Sequence, residues 1–209
     1  MTSKKLEEIF KDGYPINLFK NGDVFVGKPK NDNPDGPGYL IKADGSLLKG
    51  HFDEGIFNGP LAMITKIQKV FGGFIKGKKH SEFQHLIKDK TILIETYEMD
   101  LILQSETIKE DGQFSSVNYK NGKMHGKYKL LMNNGDFFEF YYENGKKINH
   151  PKTNTETSST GITQAGKDFV NNQIQKYKDL KKELELKTQW TLPIDVMNEI
   201  DRIKKSKSD

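Results

Sequence analysis

From residue 19 to residue 150 apolar and polar residues alternate in short runs broken by glycine, as in FVG, YLIKADG, LLKGHFDEG and KYKLLMNNGDFFEFYYENG. A period of two places alternate side chains on opposite faces of an extended chain, so each run predicts a strand with one apolar face. Asn-Gly or Asp-Gly stands at 21–22, 44–45, 111–112, 121–122, 134–135 and 144–145. Both dipeptides favour the positive φ that tight hairpin turns demand. Strand, turn and strand together read as a β-hairpin.

The hairpins recur. Gly27, Gly50 and Gly73 lie 23 residues apart, as do Gly36 and Gly59, and Phe25, Leu48 and Phe71 keep the same step. With one residue deleted in each of the next two units the frame continues through Leu93, Ser115 and Phe138, where Gly122 and Gly145, and Tyr119 and Tyr142, repeat at 23. Such a period fits two short strands and two turns, which pair side by side into a long single-layer antiparallel meander. Fifth in each unit come Pro29, Phe52, Ile75, Tyr97, Tyr119 and Tyr142. That column falls on one face, where each repeat lends its neighbour the apolar surface a lone hairpin lacks.

The pattern divides the chain into an N-terminal cap segment (1–18), a repeat sheet (19–150), a linker (151–166) and a helical tail (167–209). The cap segment forms either a short helix over residues 4–11 or a strand beside the first hairpin, covering an open sheet edge. The linker, KTNTETSSTGITQAG within it, is polar and aperiodic. In the tail Val170, Ile174, Tyr177 and Leu184 fall on one helical stripe, a surface for docking another protein or for folding back on the chain's own sheet. A second helix begins near Pro193, carrying Val196, Ile200 and Ile203 on one side. Trp190, between the helices, anchors them on the sheet or on a partner.

Composition narrows the function. An apolar fraction of 34% argues against a thick core and for a thin repeat ribbon. The 33 basic and 29 acidic residues nearly cancel, so the net charge of +4 gives no field for nucleic acid. No cysteine is present, which excludes disulfides, thiolate metal sites and a cysteine nucleophile and suits a reducing interior. No run approaches the roughly 18 apolar residues of a membrane span, and acids interrupt the start where a signal core would lie. The expectation is a cytoplasmic protein.

Candidate chemistry is sparse. His51, His80, His85, His125 and His150 have no zinc-type i, i+4 spacing, and His80 and His125 occupy the repeat's own histidine position, so neither a metal nor a cofactor is expected. Asp53, Glu54, Glu139 and Glu143 fall on strand ends and turns, where solvated carboxylates are ordinary; no catalytic residue is assigned. The glycines match neither GxxxxGKS nor a GxGxxG between strand and helix, and so serve the backbone rather than a phosphate. Lys78, Lys79, Lys146 and Lys147 follow turns along one sheet edge, which in the alternative reading meets anionic lipid at ~1 kcal/mol per charge.

Aromatic-x-Gly, then Gly-Lys-x-His-Gly, then Asp/Asn-Gly resembles the MORN (membrane occupation and recognition nexus) repeat. GHFDEGIFNGP (50–60), FGGFIKGKKHS (71–81), YKNGKMHG (119–126) and YYENGKKIN (141–149) carry the likeness, which covers residues 19–150. The stretch 92–108 has no internal glycine, and Leu61 and Tyr128 replace the second glycine of the pair in two other units. The resemblance implies a non-enzymatic scaffold that binds proteins in a cytoskeletal or ciliary (axonemal) assembly; alternatives are a peripheral phospholipid binder and an accessory subunit of an enzyme. On that reading Phe52, Tyr97, Tyr119 and Tyr142 grip an elongated or helical partner segment, while Val170, Ile174, Tyr177 and Leu184 dock a second component.

Overall fold

A computed structural model describes residues 15–149 and 163–206. The strands are β1 (Ile16–Leu18), β2 (Val24–Val26), β3 (Pro29–Lys30), β4 (Asn33–Pro34), β5 (Gly36–Ile41), β6 (Leu47–Asp53), β7 (Ile56–Ile64), β8 (Gln68–Ile75), β9 (Lys78–Ile87), β10 (Thr91–Glu98), β11 (Leu101–Lys109), β12 (Phe114–Lys120), β13 (Lys123–Leu131), β14 (Phe137–Glu143) and β15 (Lys146–Ile148). Two helices follow, α1 (Gln164–Lys187) and α2 (Ile194–Ser206). Thirteen strands form one open antiparallel sheet in the order β1-β2-β5 through β15, with β3 and β4 pairing separately in the connection from β2 to β5. The protein is thus mostly β, a meander with C-terminal helices. The N-terminal helix expected over 4–11 and linker residues 151–162 lie outside the described residues, while part of the cap segment, 16–18, is strand β1.

Cross-strand register explains why the chain repeats. Leu18, Val24, Ile41, Leu47, Ile64, Lys69, Leu86, Ile92, Ile108, Phe114, Leu131 and Phe137 stand directly opposite one another in turn across the sheet. Residues directly opposed share a face, so this row, apolar except at Lys69, is a continuous floor. One residue along, the other face carries Phe25, Leu40, Leu48, Met63, Val70, His85, Leu93, Thr107, Ser115, Leu130 and Phe138. The frame read from the sequence matches this second row at Phe25, Leu48, Leu93, Ser115 and Phe138 but takes Phe71 where Val70 belongs. The turn between β7 and β8 is one residue shorter than its counterparts, with Ile64 opposite Lys69 where Ile41 is opposite Leu47 and Leu86 opposite Ile92, so the deletion falls one unit earlier than expected and Phe74, not Ile75, enters the aromatic column.

The two sheet edges use different turns. Along one edge, both central residues have positive φ at Asn31–Asp32, Glu54–Gly55, Lys76–Gly77, Met99–Asp100, Asn121–Gly122 and Asn144–Gly145, as in type I′ turns that match strand twist. Along the other, Asn21, Asp44, Asp89, Asp111 and Asn134 each accept a hydrogen bond through the side-chain oxygen from the backbone N–H two residues on. These are Asx turns, and they account for the asparagine and aspartate before glycine in four of the six dipeptides. The glycine-free stretch 92–108 still pairs as a hairpin, with a register shift between Thr96 and Tyr97, because Met99 (φ 50°) and Asp100 (φ 74°) adopt the left-handed conformation themselves.

The tail runs back over the sheet in reverse repeat order. Helix α1 begins at Gln164, three residues before the expected start, because the Thr163 hydroxyl accepts from the Gly166 N–H at 3.0 Å and caps it. Val170, Tyr177 and Leu184 are buried with Ile92, Ile94, Ile108, Phe114 and Leu131, and Ile174 packs beside them. The chain then leaves α1, capped by the Thr188 hydroxyl on the Leu184 carbonyl, and α2 buries Ile200 against Val24, Val26, Tyr39 and Ile41. Both helices therefore lie on the floor face, over separate core clusters at opposite ends of the sheet.

Candidate functional site

The sheet's other face carries the aromatic column. Rings run without a break from Phe25 to Phe52 (5.2 Å between centroids), Phe57 (4.5 Å), Phe74 (5.6 Å), Phe83 (5.3 Å) and Tyr97 (5.5 Å). Further along, Tyr128 lies 6.0 Å from Phe140 and 6.1 Å from Tyr142, and the Phe138 and Phe140 rings stack. Edge-to-face and offset rings at such spacings add about 0.5–1.5 kcal/mol per pair beyond area burial. Glycine makes room for them: a Cβ on Gly72 would overlap the Phe83 ring, and one on Gly38 the Phe25 ring. Gly27 makes room for the Phe25 ring as well, whereas Gly59, Gly122 and Gly145 supply positive φ.

Of the residues expected to grip a partner, Tyr97, Tyr119 and Tyr142 are half-buried in this column. Phe52 is 1% exposed, sealed between Phe25 and Phe57. The expectation of a gripping surface at Phe52 is therefore corrected: its ring packs repeat against repeat. The expectation that Val170, Ile174, Tyr177 and Leu184 dock a second component is corrected in the same way. Their stripe is spent on the chain's own sheet, Leu184 being 0% exposed.

A polar group interrupts the column at its centre. His85 Nδ1 lies 3.2 Å from Gln68 Oε1, and His85 Nε2 stands 3.3 Å from Glu95 Oε2. The Tyr97 hydroxyl donates to Glu95 Oε2 at 3.1 Å, and Lys79 Nζ donates to the Tyr97 oxygen at 3.4 Å. Burial pushes the His85 pKa down, aided by the Lys79 charge and opposed by Glu95. Burial, with Glu95 beside it, pushes Tyr97 up to about 12. Lys79 also lies over the Phe83 and Tyr97 rings, 5.2 and 4.6 Å from their centroids. Sequence reading missed this cluster, since its members sit on three strands and only register brings them together.

The four lysines of the lipid alternative do not form one patch. Lys78 and Lys79 are on β9 and Lys146 and Lys147 on β15, six strands along the sheet, or about 29 Å at ~4.8 Å per strand. Lys147 is engaged as well, its Nζ 3.8 Å from the Phe140 ring centroid. Among the described residues no group of three or more His, Asp or Glu is arranged to hold a metal ion. No described helix is long and apolar enough to cross a membrane.

No protein-family profile matches the chain, and no curated protein matches it by sequence. Among solved structures, the wild-type TCP10 domain of Danio rerio CPAP is similar to 62% of this chain over 74% of its own, at 12% identity and a TM-score of 0.26.

Proposed function

We propose that the protein is a non-enzymatic, MORN-type scaffold whose aromatic face, turned away from the helices, receives an elongated protein segment. The observation that carries this reading is the asymmetry of the two faces. The floor is occupied by the chain's own tail, whereas Tyr97, Tyr119, Tyr128, Phe138, Phe140 and Tyr142 line the other face half-buried, and both described helices pack on the floor. Half-buried tyrosines combine a rigid apolar body with a hydrogen-bonding tip, the combination that dominates protein interfaces. An elongated partner would cross the strands and meet rings from successive repeats, an extended mode suited to a repeat array.

The assembly we propose is cytoplasmic and cytoskeletal or ciliary, a placement that rests on the repeat resemblance alone. The test is proximity labelling with fractionation, comparing the wild type with a Tyr119→Ser/Tyr142→Ser variant of matched thermal midpoint. The scaffold reading expects a set of filament or axoneme proteins labelled by the wild type and lost with the variant. Unchanged labelling contradicts it. Labelling of a single catalytic chain would favour the accessory-subunit alternative, and salt-sensitive flotation with anionic vesicles the phospholipid one.

A further inference from the structure

On the floor face a cavity of about 600 Å³ opens where the tail crosses from α1 to α2. Its origin is local. Helix α1 stops at Lys187, and the floor beneath the crossing is made by Pro60 and Ala62, side chains too small to fill the gap between the two core clusters. Phe71 and Trp190 wall it, and Leu186 overhangs it while 64% exposed. The volume is that of an ordinary small-ligand pocket, apolar with a few polar groups at its rim.

The rim carries one sign of charge. Lys49 and Lys187 line the cavity and no carboxylate does. Lys187 is neutralised by Glu183, 2.5 Å away. Lys49 makes no ion pair among the described residues; its Nζ stands 5.8 Å from both the Tyr39 and the Trp190 ring centroids. Burial lowers its pKa, the cost of a half-buried ammonium with no counter-ion. An arriving anion would relieve that cost, and apolar walls would hold the remainder of the same molecule.

We infer that this cavity binds a single-chain amphiphile with one anionic head, of fatty-acid class, its head on Lys49 and its apolar chain against Ala62, Phe71 and Trp190. This site is independent of the aromatic face. Trp190 is the chain's single tryptophan, so its emission reports occupancy directly. The experiment titrates the full chain with decanoate, decanol and decyltrimethylammonium below their micelle concentrations, reading Trp190 emission and, because Lys49 neighbours that ring, calorimetry in parallel. Decanoate is expected to bind saturably, and decanol and the cation at least tenfold more weakly. Lys49→Met, with an unchanged thermal midpoint, is expected to weaken decanoate at least tenfold, and Ala62→Phe, filling the floor, to remove the signal. The inference is overturned if decanol or the cation binds as well as decanoate, if Lys49→Met keeps wild-type affinity, or if no saturable binding occurs.

Discussion

The Trp190 ring lies 5.2 Å from the Tyr39 ring, tilted by 55°, joining the link between α1 and α2 to strand β5. The contact closes a strap that begins at Thr163 beside the last repeats and ends over the first. Trp190→Ala removes a half-buried indole and should cost about 2 kcal/mol, below the range for fully buried aromatics. The loss should be local, because α2 and α1 rest on separate clusters. Hydrogen exchange checks this: amides of β1, β2 and β5 should lose protection first, with β10 to β13 unaffected.

Gly72 and Phe83 make a second pair to separate packing from backbone freedom. Gly72 is not in the left-handed region, yet a Cβ there would enter the Phe83 ring. Gly72→Ala should destabilise by about 2 kcal/mol, as overpacking does, and Phe83→Leu should partly rescue it although Phe83→Leu is itself destabilising. Urea denaturation of the double-mutant cycle gives the coupling; simple additivity would count against ring packing as the reason for the glycine.

Much of this architecture was legible because the backbone imposed it. Asn-Gly and Asp-Gly marked turns since both turn types need a left-handed residue, and the 170/174/177/184 stripe marked a helix since only one side meets the sheet. Other features were hidden for physical reasons. Whether that stripe met the chain's own sheet or another protein depended on a floor assembled from twelve strands, which no local pattern displays. The short turn between Ile64 and Lys69 moved the column from Ile75 to Phe74, and a single missing turn residue leaves alternation intact on either side. Phe52 read as surface because its neighbours come from other strands, Phe57 from the adjacent β7 and Phe25 from β2, two strands away. The cluster of Gln68, His85 and Glu95 left no trace at all.

The turn at Met99 and Asp100 offers a gain in stability. Met99 holds φ at 50° without the tolerance of glycine or asparagine. Met99→Asn should therefore stabilise by about 0.5–1 kcal/mol, measured as an upward shift of the urea midpoint at constant slope. A destabilised variant would mean that the exposed methionine side chain makes a contact of its own.

The cluster of His85, Glu95 and Tyr97 should contribute to the loss of stability at both ends of the pH range. Because burial holds the His85 pKa below its usual value, the unfolded chain binds more protons as pH falls through about 6.5, and stability drops on the acid side. Tyr97, raised to about 12, keeps its proton when the unfolded chain loses its own near pH 10, so stability also drops from about pH 10 to 12. His85→Gln should flatten the acid slope and Tyr97→Phe part of the alkaline one, each read from denaturation midpoints across pH. Slopes unchanged in both variants would assign the limits to other groups.

The central claim is that one face is filled by the tail and the other is free for a partner. Hydroxyl-radical footprinting of the chain, alone and within its captured assembly, tests it most directly. The account predicts that Tyr119, Tyr128 and Tyr142 are oxidised in the free chain and shielded in the assembly, while Tyr177 is shielded in both. Oxidation of Tyr177 in the free chain, or unchanged oxidation of Tyr119 and Tyr142 on assembly, would contradict it.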